Sequence, residues 1–333
     1  MQKQGEWSQR KVWLGCLAPA GLAVLLRLSA ELVPADQPWG HMVHSICLMA
    51  PRWLALLTPL LCLRVAWGSG ARALPSAVAL LALPLIGLPG WDSGRPGVRV
   101  LVANVNAYTG QSVGLSEAIS ALEADVVVQV EARSRSIPGM VTVAHNFDRR
   151  LERPSHATAV FCRPPTVCEG LITQEIGSRT KFMPIGLVRV DERFCVVGLH
   201  GPPPVPIDAS GLQPYMDRVA RSIRSGRMAE DWGPCREGDP ALVAGDMNAV
   251  PGSWAARTLA PTGLRDLLKY QGLFAISWPF GGDTLNLPTL QLDHMYAGAL
   301  VVDDVHMVSL PGADHRGVWG RVSLPEAPAS PLR

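Results

Sequence analysis

The chain has 333 residues, with 30 Lys and Arg against 28 Asp and Glu, a formal charge of +2. That near-balance, without any basic run, argues against a protein built to hold nucleic acid, which needs clustered cations for its phosphates. Only 17% of residues are charged and mean hydropathy is +0.17, which points to part of the chain sitting in lipid.

That part is the N-terminus. Residues 12–33, 42–63 and 74–90 are three hydrophobic stretches, each near the roughly 20 residues that span a bilayer. Arg27 and Arg52 interrupt them, where a long side chain can snorkel to the interface or face another helix. The first stretch lacks a small-residue cleavage site and two more follow it, so a three-helix membrane anchor over 1–91 is expected rather than a removed signal peptide. Lys3, Arg10 and Lys11 precede the first span, Glu31 and Asp36 follow it, and Arg64 and Arg72 precede the third. The positive-inside rule then sets the N-terminus in the cytoplasm and everything after Trp91 outside.

A Gly/Pro linker at 92–97 leads into one expected globular domain over 98–324, and a Pro- and Ala-rich tail at 325–333 is expected to be disordered. Strand-like runs lie at 98–104, 125–130, 157–162, 185–190, 194–200, 241–246, 291–297 and 316–323. Helix candidates lie at 112–123 and 212–230. The pattern is of the α/β class, and two sheets of similar make-up suit a sandwich.

Polar residues sit at the ends of these strands. The run Ala241-Leu242-Val243-Ala244 breaks into Gly245-Asp246-Met247-Asn248. In extended backbone, residues two apart share a face, so Asp246 and Asn248 converge on one point; an Asx-type turn is the plainer alternative. The first strand runs into Asn104-Val105-Asn106, the second into Glu131, and the strand from Phe194 into His200. Asp293 opens the run at 291–297, and Asp314-His315 precedes the last strand. There is no Gly-x-Ser-x-Gly elbow, Walker phosphate loop, His-Glu-x-x-His or Cys-x-x-Cys.

Cys16, Cys47 and Cys62 read as packing residues in the spans. Cys162, Cys168, Cys195 and Cys235 lie in the outer domain, where oxidation is permitted; Cys162 and Cys168 can bridge a short loop, and Cys195 reads as a core strand residue. His41, His44, His156 and His306 read as packing or surface residues. His294 is expected to point away from the site because its neighbour Asp293 points in.

Taken in order, these motifs resemble the endonuclease/exonuclease/phosphatase superfamily over residues 98–324, a group that includes DNase I, sphingomyelinases and inositol-phosphate phosphatases. With the anchor in front, the chain resembles the membrane-anchored branch that includes actinobacterial teicoplanin-resistance proteins. The resemblance implies a four-layer α/β sandwich, two packed mixed sheets flanked by helices. It implies metal binding by Asn104, with Asn106 as competitor, and by Glu131, with Asp314 able to reach the metal; carboxylate, amide and water ligands suit Mg2+ or Mn2+. Asp246 is implied as the group that orients or deprotonates water, Asn248 as donor to phosphoryl oxygens and His200 as phosphate binder. His315 is implied as an acid/base element oriented by Asp293. The family usually has Gln directly before the metal-binding Glu; here Val130 stands there and Gln129 precedes it.

Such residues fix phosphoric ester or anhydride hydrolysis and leave the leaving group open. An anchored site meets lipid-linked phosphates at high effective concentration, so undecaprenyl pyrophosphate or a cell-wall precursor is the expected substrate, with a role in tolerating teicoplanin-like antibiotics. A tethered DNase-like nuclease, a lipid phosphodiesterase and a non-catalytic envelope binding protein are the alternatives.

Overall fold

A computed structural model describes residues 94–325 apart from 107–113, 133–135, 147–156, 174–182, 204–208, 270, 272–274 and 279–289, together with scattered positions between 21 and 54. The strands in chain order are β1 (Val98–Asn104), β2 (Val126–Val130), β3 (Val141–His145), β4 (Thr158–Cys162), β5 (Cys168–Thr173), β6 (Ile185–Val190), β7 (Phe194–His200), β8 (Ile223–Arg224), β9 (Arg227–Met228), β10 (Ala241–Asp246), β11 (Arg265–Asp266), β12 (Asp293–Gly298), β13 (Val301–Ser309) and β14 (Arg316–Ser323). Helices are α1 (Leu115–Ala121), α2 (Ala209–Arg221) and the short α3 (Trp254–Arg257).

Two six-stranded mixed sheets carry the domain. One runs β13-β14-β1-β2-β4-β3 and the other β11-β12-β10-β7-β6-β5. Each has one parallel pair at its centre, β1 with β2 and β10 with β7, flanked by antiparallel neighbours. Alternation along the central strands builds the layers. Val100, Val102, Val126 and Val128 meet Val188, Val196, Leu242 and Ala244 between the sheets. The opposite faces are covered: Leu101, Val127 and Phe161 pack with Leu115 and Ile119 of α1, while Val197, Leu199 and Val243 pack with Leu212, Tyr215, Met216 and Val219 of α2. This is the expected sandwich of two packed mixed sheets with helices outside.

The sheets lie close together at β7, where a Cβ on Gly198 would lie 2.4 Å from Cγ1 of Val128. A larger residue there has no room without parting the sheets.

Six strands escaped the sequence reading: β3, β5 and β13, and the two-residue strands β8, β9 and β11. β3 and β5 are edge strands, β3 exposed or half-buried throughout and β5 buried only at Ile172, and β13 carries Asp303 and Asp304 at a register shift. The helix expected over 212–230 is also corrected. It ends at Arg221, and residues 223–228 form a hairpin, β8 to β9, through Ser225 (φ 51°) and Gly226 (φ 70°). Two consecutive positive φ angles make the turn that matches strand twist, and a helix cannot pass through them.

Among the described residues no helix is long and apolar enough to cross a membrane. Most of the stretches 12–33, 42–63 and all of 74–90 lie outside the described residues, as does the tail from 326. The positions described at 21–22, 25–26, 28–29 and 47–50 are helical. Cys47, Leu48 and Met49 are buried against Val250 and Leu292 of the globular domain.

Candidate active site

Sheet register gathers the polar strand ends at one edge of the seam. On the second sheet, Asp246 is paired with His200 on one side and with Asp293 on the other. On the first, Asn104 is paired with Val130, so Glu131 follows immediately beyond the ladder. His315 stands just before β14, which runs beside β1.

Asp246 is the hub. Gly245 before it has φ 132°, and a Cβ there would lie 2.2 Å from the Leu199 carbonyl oxygen. Only glycine turns the chain at that point. The backbone N–H of Asn248 then donates to Asp246 Oδ1 at 2.9 Å, with Asn248 at φ 48°. The stretch beyond Asp246 is therefore an Asx turn rather than extended strand, which corrects the geometry expected from sequence. The turn still converges the two side chains: Asn248 Nδ2 donates to the Gly201 carbonyl at 2.8 Å and faces Asp246 Oδ2 at 3.4 Å. The end of β1 repeats the device. Asn106, at φ 47°, donates its N–H to Asn104 Oδ1 at 3.0 Å, so this backbone group holds Asn104 in place.

Asn104 bridges the sheets. Its Nδ2 donates to Asp246 Oδ2 at 3.0 Å and lies 3.4 Å from Glu131 Oε1. His200 Nε2 lies 3.4 Å from the same Glu131 oxygen and 3.8 Å from Asp246 Oδ2. His315 Nδ1 donates to Asp293 Oδ2 at 2.7 Å, leaving Nε2 3.7 Å from Asp246 Oδ2. Asn104, Glu131, His200, Asp246, Asn248, Asp293 and His315 thus form one group. Asp314 is half-buried beside His315 and adds to the negative field on it. No hydrogen bond or ion pair joins Asp314 to Asn104 or Glu131 among the described residues.

Several supports were invisible in sequence. Ser277 Oγ accepts the backbone N–H groups of Leu292 and Asp293 at 2.9 and 3.0 Å, fixing the start of β12. Tyr215 of α2 takes the His200 N–H on its hydroxyl oxygen at 3.3 Å. The Trp278 ring lies 6.4 Å from the His315 ring. An isolated Ser, Tyr or Trp carries no periodic or spacing signal. His294 points away from the group, as expected; its Nε2 meets the Ala249 carbonyl at 2.6 Å and props the turn after Asp246. Gln129 is fully buried with neither amide atom hydrogen-bonded, so it gives Glu131 no support.

The electrostatics follow from burial. Burial opposes a charged His315, but Asp293 and Asp246 outweigh it, and the imidazole is pushed up to about 10. Burial likewise raises Asp246, partly offset by His315 and His200. Two carboxylates, Asp293 in a hydrogen bond at 2.7 Å and Asp246 at 3.7 Å, outweigh the burial of the ring and hold it as an imidazolium.

Three carboxylates, Glu131, Asp246 and Asp293, face two imidazoles, and Asp293 Oδ1 is buried without a hydrogen bond. Atoms of Asp246, Asp293 and His315 lie within 4.8 Å of one another. This excess of hard oxygen donors fits a divalent cation. Because Asp293 Oδ2 is committed to His315, the Glu131 carboxylate is the more open holding point, with the Asn104 carboxamide beside it.

The chain's likeness to known proteins agrees with this geometry. Residues 101–320 match the model of the Endonuclease/Exonuclease/phosphatase family. No curated protein sequence matches the chain. Among solved structures, a humanized D. rerio TDP2 is similar with TM-score 0.51 and 15% identity, covering 68% of this chain and 98% of that one. The D. rerio TDP2 complexed with a single-strand DNA product is similar with TM-score 0.50 and 13% identity, covering 69% and 100%. At such identities the likeness is one of fold. The matched span holds every residue of the cluster, and the chain belongs to the endonuclease/exonuclease/phosphatase family of phosphoric ester hydrolases, which generally depend on a divalent metal.

Proposed function

We propose that the chain is a membrane-anchored, extracytoplasmic hydrolase that uses Mg2+ or Mn2+ to cleave a lipid-linked phosphate of cell-wall synthesis, such as undecaprenyl pyrophosphate. The observation that carries the chemistry is Asp246 Oδ2, met by Asn104 at 3.0 Å and by His315 at 3.7 Å. A base and an acid thereby flank one point at the seam.

Glu131, with Asn104 beside it, would hold the cation, which would supply polarisation and charge neutralisation at the phosphoryl group. Asp246, with proton affinity raised by burial, takes the proton of the attacking water. Asn248 keeps one N–H on Gly201 and has only a long contact to Asp246 with the other, so that second N–H is available to a phosphoryl oxygen. His200 binds the phosphate from the far side of Asp246. His315, kept protonated by Asp293, donates to the charge developing on the leaving oxygen.

Two disulfides, Cys162–Cys168 and Cys195–Cys235, support a domain that matures in an oxidising compartment. The first is the bridge that the sequence spacing allowed; Cys195 sits in the core strand and is also bridged. The apolar N-terminus supports a lipid substrate. Resemblance to the teicoplanin-resistance branch extends the proposal to tolerance of such lipoglycopeptides.

The test uses detergent-purified full-length protein with Mg2+ or Mn2+, following phosphate release from undecaprenyl pyrophosphate beside cleavage of plasmid DNA. Turnover of the lipid alone, lost in His315→Ala and Asp246→Ala, is expected. DNA cleavage with the same sensitivity makes the protein a tethered nuclease. A host whose resistance survives both substitutions carries a binding protein instead.

A further inference from the structure

An apolar wall joins the catalytic group to the N-terminal segment. Val250 lies two residues beyond Asn248, and Leu292 immediately precedes Asp293. Both are buried, in one cluster with Cys47, Leu48 and Met49 from the second hydrophobic stretch. The same turns that present Asn248 and Asp293 to the phosphate therefore present their apolar neighbours to the N-terminal helix.

Four further side chains pack on it and are only partly covered: Leu26, Val43, Trp278 and Leu290. Trp278 and Leu290 are bridged to each other by backbone hydrogen bonds in both directions. Trp278 also faces the catalytic imidazole, 6.4 Å from the His315 ring. A half-covered hydrocarbon surface thus begins beside the proton donor and continues onto the segment that carries Leu26 and Val43. On that segment Leu22, Leu25, Leu28 and Leu32 are exposed at helical spacing. Such a stripe needs apolar surroundings.

We infer that this wall is the subsite for the hydrocarbon chain of an amphiphilic phosphate substrate, with Trp278 and Leu290 fixing chain specificity and the N-terminal segment forming its far side. The inference rests on the proposed lipid-phosphate activity and adds to it a location for the chain. The phosphate sits among His200, Asp246 and His315; the chain leaves past Trp278, over Leu290 and Leu26, toward the exposed leucines. The N-terminal segment is then part of the substrate site as well as an anchor. A chain laid on such a surface contributes binding for each methylene removed from water, so selectivity grows with chain length.

The experiment compares isopentenyl and geranylgeranyl pyrophosphate, which share a head group and differ in chain, as substrates of full-length protein in lipid nanodiscs with Mg2+. The wild type should favour the longer substrate in kcat/KM by about tenfold or more, through KM. Trp278→Ala and Leu290→Ser should each bring that ratio toward one, and Trp278→Phe should keep it. A wild-type ratio near one, or variants that depress both substrates equally, overturns the inference. If neither pyrophosphate is hydrolysed, the proposed activity fails, and the wall is judged by binding of hexadecylphosphonate against ethylphosphonate. A preference for the long chain that Leu290→Ser abolishes upholds the wall, and equal binding overturns it.

Discussion

His315 can serve as a proton donor only while Asp293 is ionised beside it. The carboxylate fixes Nδ1 as the protonated nitrogen at 2.7 Å and leaves Nε2 toward Asp246. Asp293→Asn keeps the shape and removes the charge; kcat should fall about 10²–10⁴-fold, read as phosphate release at saturating substrate. The same residue governs pH dependence in the metal-free protein. His315 is pushed from its ordinary 6.5 up to about 10 in the fold. A raised folded value means that this contribution to stability is fully present below about pH 6.5 and is lost as pH rises through about 10. Thermal unfolding in chelator from pH 6 to 10.5 should show that decline in the wild type and a flatter profile in Asp293→Asn.

At the scale of elements, glycines decide how the strands deliver these residues. Gly198→Ala drives a methyl into Val128 across the sheets, and a cost of about 1–3 kcal/mol is expected by chemical denaturation, with activity per folded molecule kept. Gly245→Ala is the harsher change, because the obstacle is the Leu199 carbonyl and φ is 132°. It should lose more stability than Gly198→Ala and also lower kcat, since Asp246 follows directly. Central strands such as β1, β7 and β10 were legible in the sequence because both faces are covered, which leaves near-continuous apolar runs ending in one polar residue. β3 and β5 were not, since an edge strand with one wet face resembles a loop. For Asp246 and Asn248 the two sequence readings, functional convergence and Asx turn, proved to be one structure. Ser277 and Tyr215 stayed hidden because their roles come from residues 15 or more positions away, through contacts that no local pattern encodes.

Across the whole molecule, two sheets with the same central arrangement meet so that each contributes one Asx turn, Asn104 to Asn106 and Asp246 to Asn248, to a shared centre. A cation held by Glu131 and Asn104, both at the end of the first sheet's central pair, binds the folded state alone and should raise the unfolding midpoint. At about a hundredfold excess over Kd the gain is about 2.7 kcal/mol. Titration of Mg2+ into chelated wild type should show it, and Glu131→Ala should abolish it.

The disulfides bind the fold at different ranges. Cys162–Cys168 closes a separation of 6 residues between β4 and β5, consecutive strands of opposite sheets, whereas Cys195–Cys235 closes 40 and ties β7, the strand of His200, to the segment before β10. If the bridges act by restricting the unfolded chain, the shorter is worth about 2 kcal/mol and the longer about 4. Paired alanine substitutions separate the two effects. The Cys195/Cys235 pair should lower the denaturant midpoint about twice as far as the Cys162/Cys168 pair. Reduced wild type should resemble the four-alanine variant, as required of a domain whose working state is the oxidised one. Equal stability of oxidised and reduced protein would remove the bridges as an argument for an extracytoplasmic domain and leave only the charge pattern of the N-terminal loops to support that orientation.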